Sequence, residues 1–425
     1  MQRRAFLGLW GCLPLSSILS AYTNSYANSH TNTDNKSSDK KDRFALIPGY
    51  QVKKALQDGV LNRSLNHSDV TMLSRLDLNT GKMLRRAFPL RGHQVCVHPQ
   101  GKRAFYACQS RRQMLSFDLD SLEIEQIQQT HNHNFVGGGH AIYSHDGSLL
   151  ISTERCISSP FEGDKIKHYG RLVIRDAFNL KVLDVYNSHG ILPHELQFLD
   201  NGKHLAIAHY GSVSGDKNGA IKTIEPSISI VELASGKLLH KFLPPNNDHE
   251  IRHLTIRKAV VNKKDIHFDT SVNTNHNEKH KESVISISNR LIRKNKQKTH
   301  HPAPAFYWSP SPEKLSIQSN RVQKNPKFQR AQSVIYDPVH DEAVVTVTAT
   351  NQIAILNAAD GQLKLIIPSN RFNIQRPRGV ALLDNPKFYA VAGSLRGLVI
   401  IKRGTHQAVK YFDTPLYQHS HITIA

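Results

Sequence analysis

Gly139-His140-Ala141-Ile142-Tyr143-Ser144-His145-Asp146-Gly147-Ser148-Leu149-Leu150-Ile151 is the stretch from which the architecture can be read. Two apolar runs flank an Asp-Gly pair, the residue pair that supplies the positive φ angles of a tight hairpin turn. A third strand follows at Gly170 to Asp176, with Val173 and Ile174 at its centre. A fourth is read from Lys181 through Val182, Leu183 and Val185 to Tyr186. Four short strands within about 50 residues have the length and turn spacing of one propeller blade.

The unit recurs in both directions along the chain. Pro193-His194-Glu195-Leu196, the Asp200-Asn201-Gly202 turn and Leu205 to Ala208 open another copy, which Ser227 to Leu238 completes. Upstream, Gly92-His93-Gln94-Val95 begins a copy whose turn lies at His98-Pro99-Gln100-Gly101-Lys102 and which continues through Met114 to Leu119. Downstream starts occur at Arg252-His253-Leu254, Gln332-Ser333-Val334, Arg378-Gly379-Val380 and His421-Ile422-Thr423-Ile424. The starts at 93, 140, 194, 253, 332, 378 and 421 are separated by 47, 54, 59, 79, 46 and 43 residues. The spacing predicts an all-β, seven-bladed β-propeller over residues 44–425. In its last blade the C-terminal strand is joined by N-terminal ones, with Leu73 to Leu84 supplying strand, turn and strand. Such closure removes free sheet edges. Helical periodicity is almost absent.

The longest interval holds a basic segment, 261–330, rich in Lys, Arg, Asn and His. It lacks alternation except at Ser283 to Ser288, and reads as an inserted surface loop, or as an arm that captures metal or an anionic partner. It carries much of the formal net charge of +21. Zinc-finger spacing, a Gly-rich phosphate loop and an aromatic-basic RNA signature are all missing, so nucleic acid is not the expected partner.

Residues 1–27 read as an export signal. Arg3-Arg4-Ala5-Phe6-Leu7 has the twin-arginine pattern, an apolar run extends to Leu19, and Ser25-Tyr26-Ala27 suits signal cleavage. A lipoprotein site at Leu9-Trp10-Gly11-Cys12 and an ordinary secretory signal are the rival readings. Residues 28–43 have the composition of a disordered linker. A periplasmic protein with no transmembrane segment in its mature chain is expected. Of the four cysteines, Cys12 lies in the signal, leaving Cys96, Cys108 and Cys156. Folding about the 98–102 turn sets Cys96 near Ala104, so a Cys96–Cys108 disulfide is not expected.

The residue opening the innermost strand is His in five of seven units: His93, His140, His194, His253 and His421. Inner strands line the central channel of a propeller, so equivalent positions form a ring at one depth. Imidazole nitrogen suits a transition metal such as iron or copper. The alternative is structural, with each His bonding backbone to tie one blade to the next. Gln332 and Arg378 occupy the remaining stations, and Arg252, Glu195, Arg376, Glu154 and Arg155 are placed nearby. Arg378 and Arg252 favour an anionic ligand such as a carboxylate-bearing chelate, and Gln332 would join them. Glu195 is a further ligand or a partner that orients one.

His189-Gly190-Ile191-Leu192-Pro193-His194-Glu195-Leu196 and Ile251-Arg252-His253-Leu254, with the glycine at His140, resemble an uncharacterised family of twin-arginine-exported bacterial proteins that carry a domain of unknown function. The similarity covers about 85–260 clearly and 330–425 more loosely. This chain departs from the family at His189-Gly190-Ile191-Leu192, where a second glycine is usual, and in the basic insertion. Members often occur beside imelysin-like iron-regulated and di-haem oxidoreductase-like proteins. The resemblance implies a propeller-like body, a role in iron or other metal acquisition, and His140, His194, Glu195, Arg252 and His253 as site residues. The expected partners are a metal chelate or a periplasmic iron-uptake protein. An interaction scaffold without a small ligand and a metal-dependent hydrolase or oxidoreductase are the alternatives; no nucleophile elbow or Ser/His/Asp arrangement is present.

Overall fold

The computed structural model describes residues 43–425 except 63–68, 160, 163–164, 167–168, 200–201, 215–220, 245–249, 258–282, 295–296, 302–304, 309–317, 320–329, 360 and 419–420. The residues read as an export signal, with Cys12, nearly all of those read as a linker and much of the basic segment therefore lie outside the described residues, as do Asp200 and Asn201.

Six antiparallel sheets of four strands each, in meander order, make the regular blades of an all-β propeller. Their innermost strands are Gly92–Val97, Phe135–Tyr143, Pro193–Leu199, Ala331–Asp337, Pro377–Leu382 and Thr423–Ile424. The count of regular blades is thus six where the sequence spacing leads to seven. At the His253 station stands an irregular five-stranded sheet, in which Glu250–Arg257 pairs with the long strand Ser283–Lys294. That pairing also corrects the reading of 261–330 as wholly loop, since Ser283–Lys294, Gln297–His301 and Ala305–Trp308 are strands of this sheet. The Val284-Ile285-Ser286-Ile287 alternation carried that signal, and the charged flanks hid it. Among the described residues, Val52–Gln57 is α-helical and Ser369–Phe372 is a 3₁₀ turn.

Closure joins the two ends of the chain in one sheet. Thr423–Ile424 pairs with Phe44–Gly49 through Ala45↔Ile424 and Leu46↔Thr423, followed outward by Thr71–Asp77 and Met83–Phe88. The Ala425 amide donates to Phe44 O at 2.9 Å, and Ala425 O accepts from the Arg43 and Phe44 amides at 2.8 Å. Strand, turn and strand over Leu73 to Leu84 are as expected. The Phe44–Gly49 strand is additional, because a single continuous apolar run beside a disordered-looking linker gives no period-2 signal.

Blade strands are buried on both faces, which accounts for runs such as Leu205-Ala206-Ile207-Ala208 that are wholly excluded from solvent. Each face packs on a neighbour. Ile151, Leu172 and Ile174 of the second blade meet Leu196, Leu205 and Ile207 of the third, and Ala390, Leu398 and Ile400 of the Pro377–Leu382 blade meet Ala45, Ile47 and Leu76 of the closing blade. Polar links reinforce the seams. Arg103 donates to Phe178 O at 2.7 Å, and Thr153 Oγ1 donates to His194 O at 2.9 Å. Within the second blade, a buried ion pair joins Glu154 to Arg175 at 2.7 Å. Cys96, Cys108 and Cys156 are free thiols. Cys96 faces Phe105, one residue beyond the expected Ala104, while Cys108 faces Gly92, so the two cysteines are far from register.

His209 lies fully buried on the second strand of the third blade, and burial pushes its pKa down to about 3. The folded-state value lies below the unfolded one, so stability is complete above pH 6.5 and declines as pH falls towards 3. The His209 share of that decline is on the order of 2 kcal/mol at pH 5. Urea unfolding at pH 8 and pH 5 should show a smaller acid loss in His209→Gln than in the unsubstituted protein; an identical pH dependence would refute the assignment.

Candidate metal centre

Except at His421, the side chains at the blade starts owe their direction to an irregularity in the inner strand. Gly92 pairs with Cys108 and Gln94 with Ala107, leaving His93 as an extra residue. Gly138, Gly139 and His140 are spanned in the same way between Gly137 and Ala141, and His194 and Glu195 between Pro193 and Leu196. Gln332 and Arg378 take the same position in their strands. A β-bulge of this kind re-aims a side chain and twists the strand, and here it brings imidazoles from separate blades together at one level of the ring. In the irregular sheet the extra residue is Arg252, and His253 occupies the next regular position.

Four histidines meet. His93, His140, His194 and His421 are buried, and one ring nitrogen from each falls within a common span of 4.8 Å. His421 Nε2 stands 3.1 Å from His93 Nε2. A tetrahedral site with metal–nitrogen bonds of 2.0–2.1 Å spaces its ligands by about 3.3 Å. The His140 and His194 ring centres are 4.4 Å apart, and the His140 and His421 centres 4.8 Å. His253 packs against this group, 5.0 Å from His194 and 4.9 Å from His421 between ring centres, but its nitrogens are not within the four-way span. The five-membered ring of ligands expected from sequence is therefore four plus one neighbour, and the offset bulge at Arg252 is the reason.

Surrounding groups fix which nitrogen of each ring is available. His194 Nδ1 stands 2.6 Å from Gly138 O and 3.1 Å from Arg155 Nη2; with the proton on Nδ1, donated to the closer carbonyl, Nε2 keeps its lone pair. Arg155 donates to the same carbonyl at 2.8 Å, and its guanidinium stacks over Tyr210 at 4.7 Å. His253 Nδ1–H donates to Glu195 Oε2 at 2.9 Å, which also accepts the Leu254 amide at 3.1 Å. Glu195 is thus an orienting carboxylate for His253, the second of the two roles its position suggested. Tyr50 OH lies 2.9 Å from His93 Nδ1 and can accept its proton, freeing Nε2. His140 Nε2 and His253 Nε2 are buried without a hydrogen-bond partner among the described residues. Buried imidazole nitrogens left in this state are costly unless something binds them.

Electrostatics act in the same direction. Burial first, and then the neighbouring imidazoles, hold His93, His140 and His194 well below the usual histidine range. Burial, then Arg252 and Arg378, push His253 down to about 3. The rings are consequently neutral, which is the form that ligates a metal. Gly139 permits the approach. It has φ +111°, and a Cβ there would lie 2.8 Å from His93 Cδ2 and 3.0 Å from His194 Cε1. Beyond the cluster, a cavity of about 510 Å³ continues along the inner strands, with His140, His421, Glu195, Gln94, Tyr336 and Leu382 in its wall.

Arg252 is paired with Glu250, its Nε 3.1 Å from Oε2, and also stacks over Tyr210 at 4.8 Å. Arg378 and Gln332 are buried at their bulges, next to one another in ring order but outside the imidazole group. Glu154, noted near the site in the sequence, points into the seam towards Arg175 and His131. His189 reaches Gly236 O at 3.0 Å and takes no part. Sequence reasoning missed Tyr50 and Tyr210. Tyr210 follows the second strand of its blade as Arg155 ends one, a repeat-locked position that could have been found; Tyr50 follows the strand that was not anticipated.

Comparison with known proteins places the fold more firmly than the chemistry. Hydrazine synthase of Kuenenia stuttgartiensis is similar in structure, with a TM-score of 0.54 and 11% sequence identity over 89% of this chain and 99% of that one. Dihydro-heme d1 dehydrogenase NirN in complex with DHE is more distant, with a TM-score of 0.47 and 9% identity over 92% of this chain and 77% of that one. No curated protein sequence matches the chain. A family model described as protein of unknown function DUF1513 matches residues 86–307, just over half of the sequence and including four of the five ring histidines. The chain belongs to the DUF1513 family.

Proposed function

We propose that this protein is an exported, periplasmic propeller that binds a transition metal at the histidine cluster, in the service of acquiring iron or a related metal. The observation that carries the reading is the convergence of four buried imidazole nitrogens within 4.8 Å, three from the inner strands of different sheets and one from the segment leading into a fourth. Structural histidines that tie blades together would each spend both nitrogens on backbone. Here, among the described residues, His140 Nε2 has no hydrogen-bond partner, and His194 Nδ1 is the ring nitrogen that faces a carbonyl. An all-nitrogen donor set fits iron, copper, zinc or nickel better than magnesium or calcium. The periplasmic assignment rests on Arg3-Arg4-Ala5-Phe6-Leu7 and the apolar run behind it. No helix of the described residues is long and apolar enough to cross a membrane. The iron assignment rests on the family resemblance.

Protein folded in its native host should carry one metal per chain by elemental analysis. Stripped protein titrated with Cu(II), Zn(II) or Fe(II) salts should take up one equivalent. His140→Ala and His194→Ala should each weaken uptake by roughly 100-fold, with melting temperature followed to confirm folding. Protein that arrives metal-free and takes up none of these ions would leave the scaffold reading in possession. Gly139→Ala forces a strained backbone and a methyl group against two ligands. It should reduce affinity by about tenfold or more while costing on the order of 1–3 kcal/mol of stability.

A further inference from the structure

The bulge positions that are not histidine form their own group. Around the ring, Arg252, Gln332 and Arg378 occupy the bulges of three successive sheets, between the His194 and His421 stations. Arg330 and Arg376 each stand immediately before an inner strand, in the left-handed region at φ 58° and 51°. Strained non-glycine backbone at two equivalent entry positions, with arginine at both, concentrates positive charge at one arc of the mouth. Arg252 is neutralised by Glu250, but no described carboxylate forms an ion pair with Arg330 or Arg378. Arg378 is 9% exposed, and Arg378 Nε, Arg330 Nε and Gln332 Oε1 are buried with no hydrogen-bond partner among the described residues. A guanidinium excluded from water without a counter-charge is among the costlier arrangements in a protein. Burial and the neighbouring arginines push the Arg378 pKa down to about 10, still leaving it charged at neutral pH. Tyr50 bears on both groups, since its hydroxyl touches His93 and its phenol acts electrostatically on Arg378.

We propose that Arg330 and Arg378 form an anion site that takes the carboxylate of a small organic acid, so that the natural ligand is a carboxylate-bearing metal chelate spanning the arginines and the imidazoles. The planar guanidinium fork matches a carboxylate through two parallel N–H donors. The chelate half of the proposal rests on the metal reading above; the carboxylate half does not, and it is tested without metal. Citrate is titrated calorimetrically into metal-free, full mature protein, with inorganic phosphate as the competing probe. One-to-one citrate binding is expected, weakened roughly tenfold or more in Arg378→Gln and in Arg330→Gln and unchanged within about twofold in Arg396→Gln, an exposed arginine on a blade edge. Citrate should also raise the melting temperature of the unsubstituted protein and not that of Arg330→Gln, which decides the matter if Arg378→Gln does not fold. Absence of one-to-one binding, indifference to both inner substitutions, or phosphate binding as tightly as citrate would overturn the proposal.

Discussion

A break in pairing at the entrance to the inner strands of six sheets governs this molecule. In a regular strand alternate side chains point into the two seams between blades, where leucine, isoleucine and alanine are required. The bulge breaks that alternation for a single position, and the side chain there is released from the seams. Repetition around the ring sets these positions at one level. His93, His140, Gln332 and Arg378 all occupy it, as does His194 with Glu195 beside it. The chemistry at the mouth is therefore separable from the packing that holds the blades, and each station can change identity without disturbing a core.

Much of this was legible in the residues. The Asp146-Gly147 hairpin and its copies marked the blades, because a turn demanding positive φ followed by apolar runs leaves little freedom of interpretation. The convergence of His93, His140, His194 and His421 followed from their common place in the repeat. His253 fell one residue outside because a bulge is a property of pairing, and pairing between Glu250–Arg257 and Ser283–Lys294 spans an interval whose composition resembles a loop. Tyr50 was out of reach for a different reason. Its strand is drawn into the closing sheet by a partner at the far end of the chain, and no local pattern announces that.

The two arcs of the mouth are complementary in charge state. Burial keeps the imidazoles neutral, so they contribute lone pairs and no charge. The arginines opposite remain cationic and contribute charge but no lone pairs. A bare metal cation approaching the mouth meets repulsion from Arg155, Arg330 and Arg378, whereas a metal already wrapped in an acid does not. Tyr210, with Arg155 and Arg252 both stacked on its ring, stands where the two arcs meet beside His194.

Closure of the ring has a consequence in time as well as in space. His421 lies two residues before the short strand that zips onto Phe44–Gly49, and it supplies the fourth imidazole. A chain emerging from the ribosome holds the other three long before this one. The full donor set comes into being only when the circle is sealed, so an ion held by all four would act as a clasp, and its presence would certify that folding had finished.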